Sequence, residues 1–132
     1  QGEVVLDGKF ESENVAWSRT RSGPGLASPV VARGYLYIPR SGGILNCYDI
    51  RTGERAYRTR VPNMSTVAAS LWADEDRVFI LDEGGTTHLI QTGPEFKHIR
   101  ANKIDDLSWS TPAIAGETLL LRGVEKLYCI RG

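Results

Sequence analysis

The chain is short of the residues on which most catalytic and metal sites are built. Only two cysteines, Cys47 and Cys129, and two histidines, His88 and His98, occur among its 132 residues. No cysteine or third histidine accompanies the histidine pair at metal-ligand spacing, so no zinc site is expected and each histidine reads as a solvated or hydrogen-bonded strand residue. Charge of one sign is also missing. Sixteen basic residues balance sixteen acidic ones, which leaves no long-range field to favour nucleic acid or an anionic membrane surface. No apolar run approaches the roughly 18 residues needed to span a bilayer. The first residues, Gln1-Gly2, carry neither an initiator methionine nor a signal-peptide pattern, and the expectation is a processed chain or an excised segment. Sustained helical periodicity is absent, and 14 glycines punctuate short apolar runs, as in an all-β chain.

What is present is a repeat. Ser28-Pro29-Val30-Val31-Ala32-Arg33-Gly34-Tyr35-Leu36-Tyr37-Ile38 aligns with the eleven residues from Ser70 to Ile80 and with those from Thr111 to Leu121. Pro29, Leu71 and Pro112 share one place, so the periods are 71 − 29 = 42 and 112 − 71 = 41 residues. That length fits a four-stranded propeller blade and is too long for a leucine-rich repeat. Within the first period, strands are expected over Ser28 to Ala32, Tyr35 to Ile38, Ile44 to Asp49 and Glu54 to Arg60, parted by Arg33-Gly34, Ser41-Gly42-Gly43 and Arg51-Thr52-Gly53. The second period predicts an inner strand near Trp72, strands over Arg77 to Leu81 and Thr86 to Gln91, and an outer strand from Glu95 to about Arg100. The third predicts Thr111 to Ala115, Thr118 to Arg122 and Lys126 to Ile130, without a fourth strand. The fold class expected is therefore all-β: about three four-stranded antiparallel β-propeller blades, in units near 15–60, 61–100 and 101–132.

The segment Val15 to Arg21 precedes the first copy as Ala56 to Arg60 precedes the second. It reads as an outer strand detached from its own blade, and one reading has it supply the strand the last unit lacks. Glu3-Val4-Val5-Leu6-Asp7-Gly8 reads either as a third strand and turn of a preceding blade or as a linker. Three blades do not close a ring, since propellers have four to eight. The chain is expected to belong to a larger propeller, or to a ring that identical chains complete. The first is favoured because repeat arrays need capped or closed ends.

Cys47-Tyr48-Asp49-Ile50-Arg51-Thr52-Gly53-Glu54-Arg55-Ala56-Tyr57 resembles the blade signature of the PQQ-like (quinoprotein-type) β-propeller repeat family: a small residue, then Asp, then Thr-Gly, then Trp. Here Cys stands in the small position and Tyr replaces Trp. The opening Ser-Pro-Val-Val-Ala and the closing Leu127-Tyr128-Cys129-Ile130 are similar to the family as well. The resemblance covers roughly Val15 to Ile130, and the sequence as a whole looks like the C-terminal blades of a bacterial propeller of the type that includes the outer-membrane assembly lipoprotein. Blade 2 departs most, with Leu71-Trp72 in place of the proline step and Thr92-Gly93-Pro94 lacking the Asp. Under this resemblance Asp49 and Thr52 bond the backbone of the turn they bracket, and Gly53 takes a positive φ. Trp17, Tyr57 and Phe96, at equivalent outer-strand places, pack between blades. Periplasmic or extracellular localisation is implied by the resemblance alone.

No catalytic, cofactor-binding or metal residue is assigned. Ser28, Ser70 and Ser110 recur with the repeat, as strand-start residues do and a lone nucleophile does not. Cys47 and Cys129 hold equivalent third-strand places on different blades, so both are expected as buried thiols too far apart for a disulfide. Asp74-Glu75-Asp76 and Asp82-Glu83 lack the spaced pattern of a calcium loop and read as solvated turns. Dehydrogenases of the resembling family bind their quinone with side chains from many blades, a calcium ion, a catalytic Asp and adjacent cysteines. This chain has no adjacent cysteines, and a packing signature says nothing about a cofactor, so none is expected. Two functional readings follow. The favoured one is a non-enzymatic interaction or scaffold module, part of a propeller that binds protein or other ligands, its partners being another protein, the remaining blades of the same propeller, or a second copy of itself. The alternative is a partial segment of a quinone-dependent dehydrogenase or other propeller enzyme.

Overall fold

The computed structural model describes residues 14–23 and 25–132. Eleven strands and no helix lie among them, in three separate antiparallel sheets. The first sheet holds β1 (Val30–Ala32), β2 (Tyr35–Arg40), β3 (Ile44–Asp49) and β4 (Arg55–Arg60) in sequence order. The second holds β5 (Trp72–Ala73), β6 (Arg77–Leu81), β7 (Thr86–Gln91) and β8 (His98–Lys103), and the third β9 (Ala113–Ala115), β10 (Thr118–Arg122) and β11 (Leu127–Arg131). The expected turns separate the strands, and the inner strands at Val30, Trp72 and Ile114 are in place. The outer strand of the second sheet starts three residues later than expected. Gln91 N–H donates to Lys97 C=O at 2.9 Å, so the turn after β7 extends through Glu95 and Phe96. Residues Glu3 to Gly8, read as a strand or a linker, lie outside the described residues.

Alternation sorts each strand's side chains between two faces. Tyr37, Cys47 and Tyr57 share one face of the first sheet through the registers Tyr37↔Cys47 and Cys47↔Tyr57. That face meets Val78, Ile80 and Ile90 of the second sheet, and Tyr37, Leu45, Cys47, Val61, Val78, Ile80 and Ile90 of this cluster have essentially no solvent exposure. Gly93 N–H donates to the Tyr37 hydroxyl at 2.7 Å, which fastens the turn after β7 to the first sheet. The rings of Tyr57 and Phe96 meet edge to face at 5.7 Å, as expected of residues that pack between blades.

The start of each repeat also links blade to blade. Ser28 N–H donates to Ser70 Oγ at 3.4 Å, and Ser70 N–H to Thr111 Oγ1 at 2.9 Å. Thr111, not Ser110, continues the series. Ser110 Oγ instead lies 3.5 Å from Arg122 C=O. The third sheet is held by a smaller cluster of Ala69, Leu81 and Leu121, with Trp72, Ile104 and Tyr128 packed against it. Asp106 supports it by accepting from Glu125 N–H and Lys126 N–H at 3.1 and 3.0 Å, capping the β10–β11 turn.

Residues 15–21 do not form the outer strand expected of them. None lies in a strand, and they do not pair with β11. They lie on the first sheet, where specific polar partners outcompete a bare edge. Trp17 Nε1–H donates to Ile50 C=O at 2.7 Å, Arg19 Nε to Gly53 C=O at 2.6 Å, and Arg40 Nη1 to Arg21 C=O at 2.6 Å. Tyr48 O–H reaches Ser22 Oγ at 3.0 Å. The segment thus covers Leu36, Ile38 and Tyr48, on the face turned away from the second sheet. Deleting residues 1–21 is expected to cost about 1–3 kcal/mol from the lost hydrogen bonds and to promote self-association through the uncovered face. A truncated chain with unchanged melting temperature and unchanged mass in sedimentation would contradict that role.

Candidate functional site

The first two sheets pack closely, whereas the second and third diverge into a cleft. Its volume is about 660 Å³, within the range of small-ligand and peptide pockets. One wall is built by the cross-strand row Trp72, Phe79, Leu89 and Arg100. The Trp72 and Phe79 rings stack at 5.4 Å with only 5° between their planes, and the Arg77 guanidinium lies 5.3 Å over Phe79. Arg77 is held there by Asp74, donating Nη2–H and Nε–H to Oδ2 at 2.6 and 2.9 Å. Burial acts to raise the Asp74 carboxyl, but the Arg77 guanidinium and the Asp76 and Arg77 amides outweigh it, so it titrates below its ordinary range. The facing wall is the row Ile114, Leu119 and Ile130 of the third sheet. Ile114 is 60 % and Ile130 42 % exposed, an unusual exposure for aligned aliphatic residues.

A second cluster lies inside the second sheet. Asp82, expected as a solvated turn residue, is 2 % exposed and directly follows β6, at the start of the turn into β7. Its carboxylate accepts from Ser65 N–H and Thr86 N–H, both at 3.1 Å, and bonds His88 Nε2 at 2.9 Å. Burial would raise the Asp82 carboxyl, but these three donors hold it below its ordinary range. His88 is fully buried, and its Nδ1 faces His98 Nε2 at 3.4 Å. His98 is partly exposed. Burial and the neighbouring imidazole push its titration down. The other acidic turn stays at the surface, with Asp76 in an exposed ion pair to Arg33 at 3.0 Å.

The signature residues behave as the resemblance implies. Asp49 Oδ1 accepts from Arg51 N–H at 2.8 Å, Thr52 Oγ1 accepts from Glu54 N–H at 3.1 Å, and Gly53 has φ +69°. Cys47 is buried, and burial pushes its thiol up to about 11, leaving it protonated and unreactive. Cys129 is also free but exposed, contrary to expectation, because β11 is an edge strand. Sequence reasoning missed Asp82, Asp106 and the stacked Trp72–Phe79 wall. The only local hint at Asp82 was an acid placed at a strand end before Glu83-Gly84-Gly85.

Three sheets repeating at one period, with a turn signature at the end of the third strand, define β-propeller blades. The fold is of the β-propeller type. The structure is similar to BamB from Moraxella catarrhalis at TM-score 0.70 and 16% identity, over 88% of this chain and 36% of that one. It is similar to the quinohemoprotein alcohol dehydrogenase from Comamonas testosteroni at TM-score 0.55 and 17% identity, over 76% of this chain and 17% of that one. The N-terminal domain of Nup159 is a further neighbour, at TM-score 0.51 and 13% identity, over 80% of this chain and 34% of that one. The chain thus spans little more than a third of the BamB chain. No protein-family pattern and no curated protein matches the sequence. Among the described residues, no helix is long and apolar enough to cross a membrane.

The donor set does not fit the quinone and calcium of a dehydrogenase. Among the described residues no group of three or more His, Cys, Asp or Glu side chains is placed to hold a metal ion. Cys47 and Cys129 lie on different sheets, one buried and one exposed.

Proposed function

We propose that the chain is a non-enzymatic interaction module of a β-propeller, and that the cleft between the second and third sheets receives a protein partner or the remaining blades of the same propeller. The observation that carries this reading is the open apolar cleft itself: an aromatic wall at Trp72 and Phe79 faces exposed aliphatic residues at Ile114 and Ile130. Large aligned apolar residues left in contact with water are stabilised by a protein surface that covers them. The unpaired edge of β11 adds backbone donors and acceptors to the same surface.

A photoreactive amino acid at Ile114 tests the reading. The expected result is a cross-link to one defined polypeptide, weakened by Trp72→Glu on the opposite wall. Absence of any cross-link, together with saturable spectral changes on adding quinone and calcium, would favour the enzyme reading instead.

A further inference from the structure

The Asp82, His88 and His98 side chains form a line of three groups that the cleft does not use. Asp82 Oδ1 accepts from Thr86 N–H and Oδ2 from Ser65 N–H, so the ionised carboxylate has only acceptor capacity to offer His88. His88 therefore carries its proton on Nε2 and presents the Nδ1 lone pair toward His98. The facing nitrogen, His98 Nε2, is 3.4 Å away. That spacing is the edge of a tetrahedron whose metal–nitrogen bonds are about 2.0–2.1 Å, the lengths of zinc–imidazole bonds. A carboxylate behind the buried imidazole fixes the tautomer and orientation that a metal-ligating histidine needs. His98 is partly exposed, so the pair borders solvent on the His98 side.

We propose that His88 Nδ1 and His98 Nε2 are two ligands of a site for a borderline divalent cation such as Zn²⁺, with Asp82 as the positioning residue behind His88. Among the described residues no third side chain joins them, so water or a group from a bound partner fills the remaining positions. The site is therefore open and of modest affinity, and binding displaces the proton shared between the two rings.

The pair was not legible as a site because ten residues separate its members in the sequence and simple strand register would keep them apart. In β7 and β8, His88 pairs with Ala101 and Leu89 with Arg100, so regular pairing would set Ile90 against Ile99. A bulge between Leu89 and Ile90 instead sets Ile90 against His98. One extra residue in a strand reverses which face the following side chains take. The bulge thereby turns His98 onto the face of His88.

Titration of Zn²⁺ into the full chain, followed by calorimetry and by ¹⁵N chemical shifts of the imidazole nitrogens, tests the assignment. One ion per chain is expected, with His88 Nδ1 and His98 Nε2 shifting together. His98→Gln, at a partly exposed position, is expected to weaken binding by at least about tenfold while leaving the circular dichroism spectrum unchanged. The assignment is overturned by no binding at sub-millimolar Zn²⁺, by equal binding in the His98→Gln protein, or by unshifted imidazole nitrogens on the wild-type chain, a readout that does not depend on the variant folding.

Discussion

Asp82→Ala is expected to destabilise the chain by about 3–5 kcal/mol, because it strands the buried His88 donor and two part-buried backbone donors at once. His88 Nε2–H, Ser65 N–H and Thr86 N–H all end on that carboxylate, which is 2 % exposed beside a fully buried imidazole. The control is Asp76→Ala. Its ion pair with Arg33 is exposed on both sides and is worth about 0–1 kcal/mol. Urea midpoints for the two variants should therefore separate widely. The effect also has a defined pH dependence. Hydrogen bonds hold the Asp82 carboxyl below its ordinary value of 3.8 in the folded chain, so its contribution is fully present above that value and is lost as pH falls through the lower folded value. The gap between wild type and variant should close in strong acid and stay constant from pH 5 to 7. A gap that widened in acid would show that the carboxyl is raised, not lowered.

Gly53→Val should cost about 1–3 kcal/mol from backbone strain alone, and more once its surroundings are counted. Gly53 has φ +69°, a conformation that β-branched residues resist. A Cβ there would also come within 2.5 Å of the Trp17 ring, which lies flat against the turn. Relief would require Trp17 to leave, breaking its hydrogen bond to Ile50 C=O and freeing the 14–23 segment from the first sheet. The matching change Gly132→Val meets nothing within 4 Å and should be silent. Thermal melts that shift equally in both variants would refute the turn geometry. Trp17 fluorescence adds a second readout, since it should report a more solvated indole only in the Gly53 variant.

Much of the fold was legible because its signals are local. Arg33-Gly34, Ser41-Gly42-Gly43 and Arg51-Thr52-Gly53 are turn sequences whose backbone demands few residues meet, and they cut the chain into strands of the right length. The period from Pro29 to Leu71 to Pro112 then set the blade repeat. The Asp49–Thr52–Gly53 device could be written down with its hydrogen bonds, because every group in it lies within six residues. The candidate sites were less visible. Asp82 resembled any acidic turn residue, and its burial depends on Ser65 and on the overlying loop, seventeen positions away.

The sequence by itself determined the three-sheet repeat, most of its strands and the turn between the third and fourth strands of the first blade, since β-rich runs and glycine chemistry act over a handful of neighbours. Only the tertiary structure decided where distant surfaces meet. It laid Val15 to Arg21 on the first sheet rather than on β11, because Ile50 and Gly53 offer carbonyls to Trp17 and Arg19. It opened the cleft that leaves Ile114 exposed, and it placed one bulge in the second sheet. That bulge carries His98 to His88. A shift of one residue in strand register reverses a whole face, and no local pattern in Lys97-His98-Ile99-Arg100 announces which register the neighbouring strand imposes.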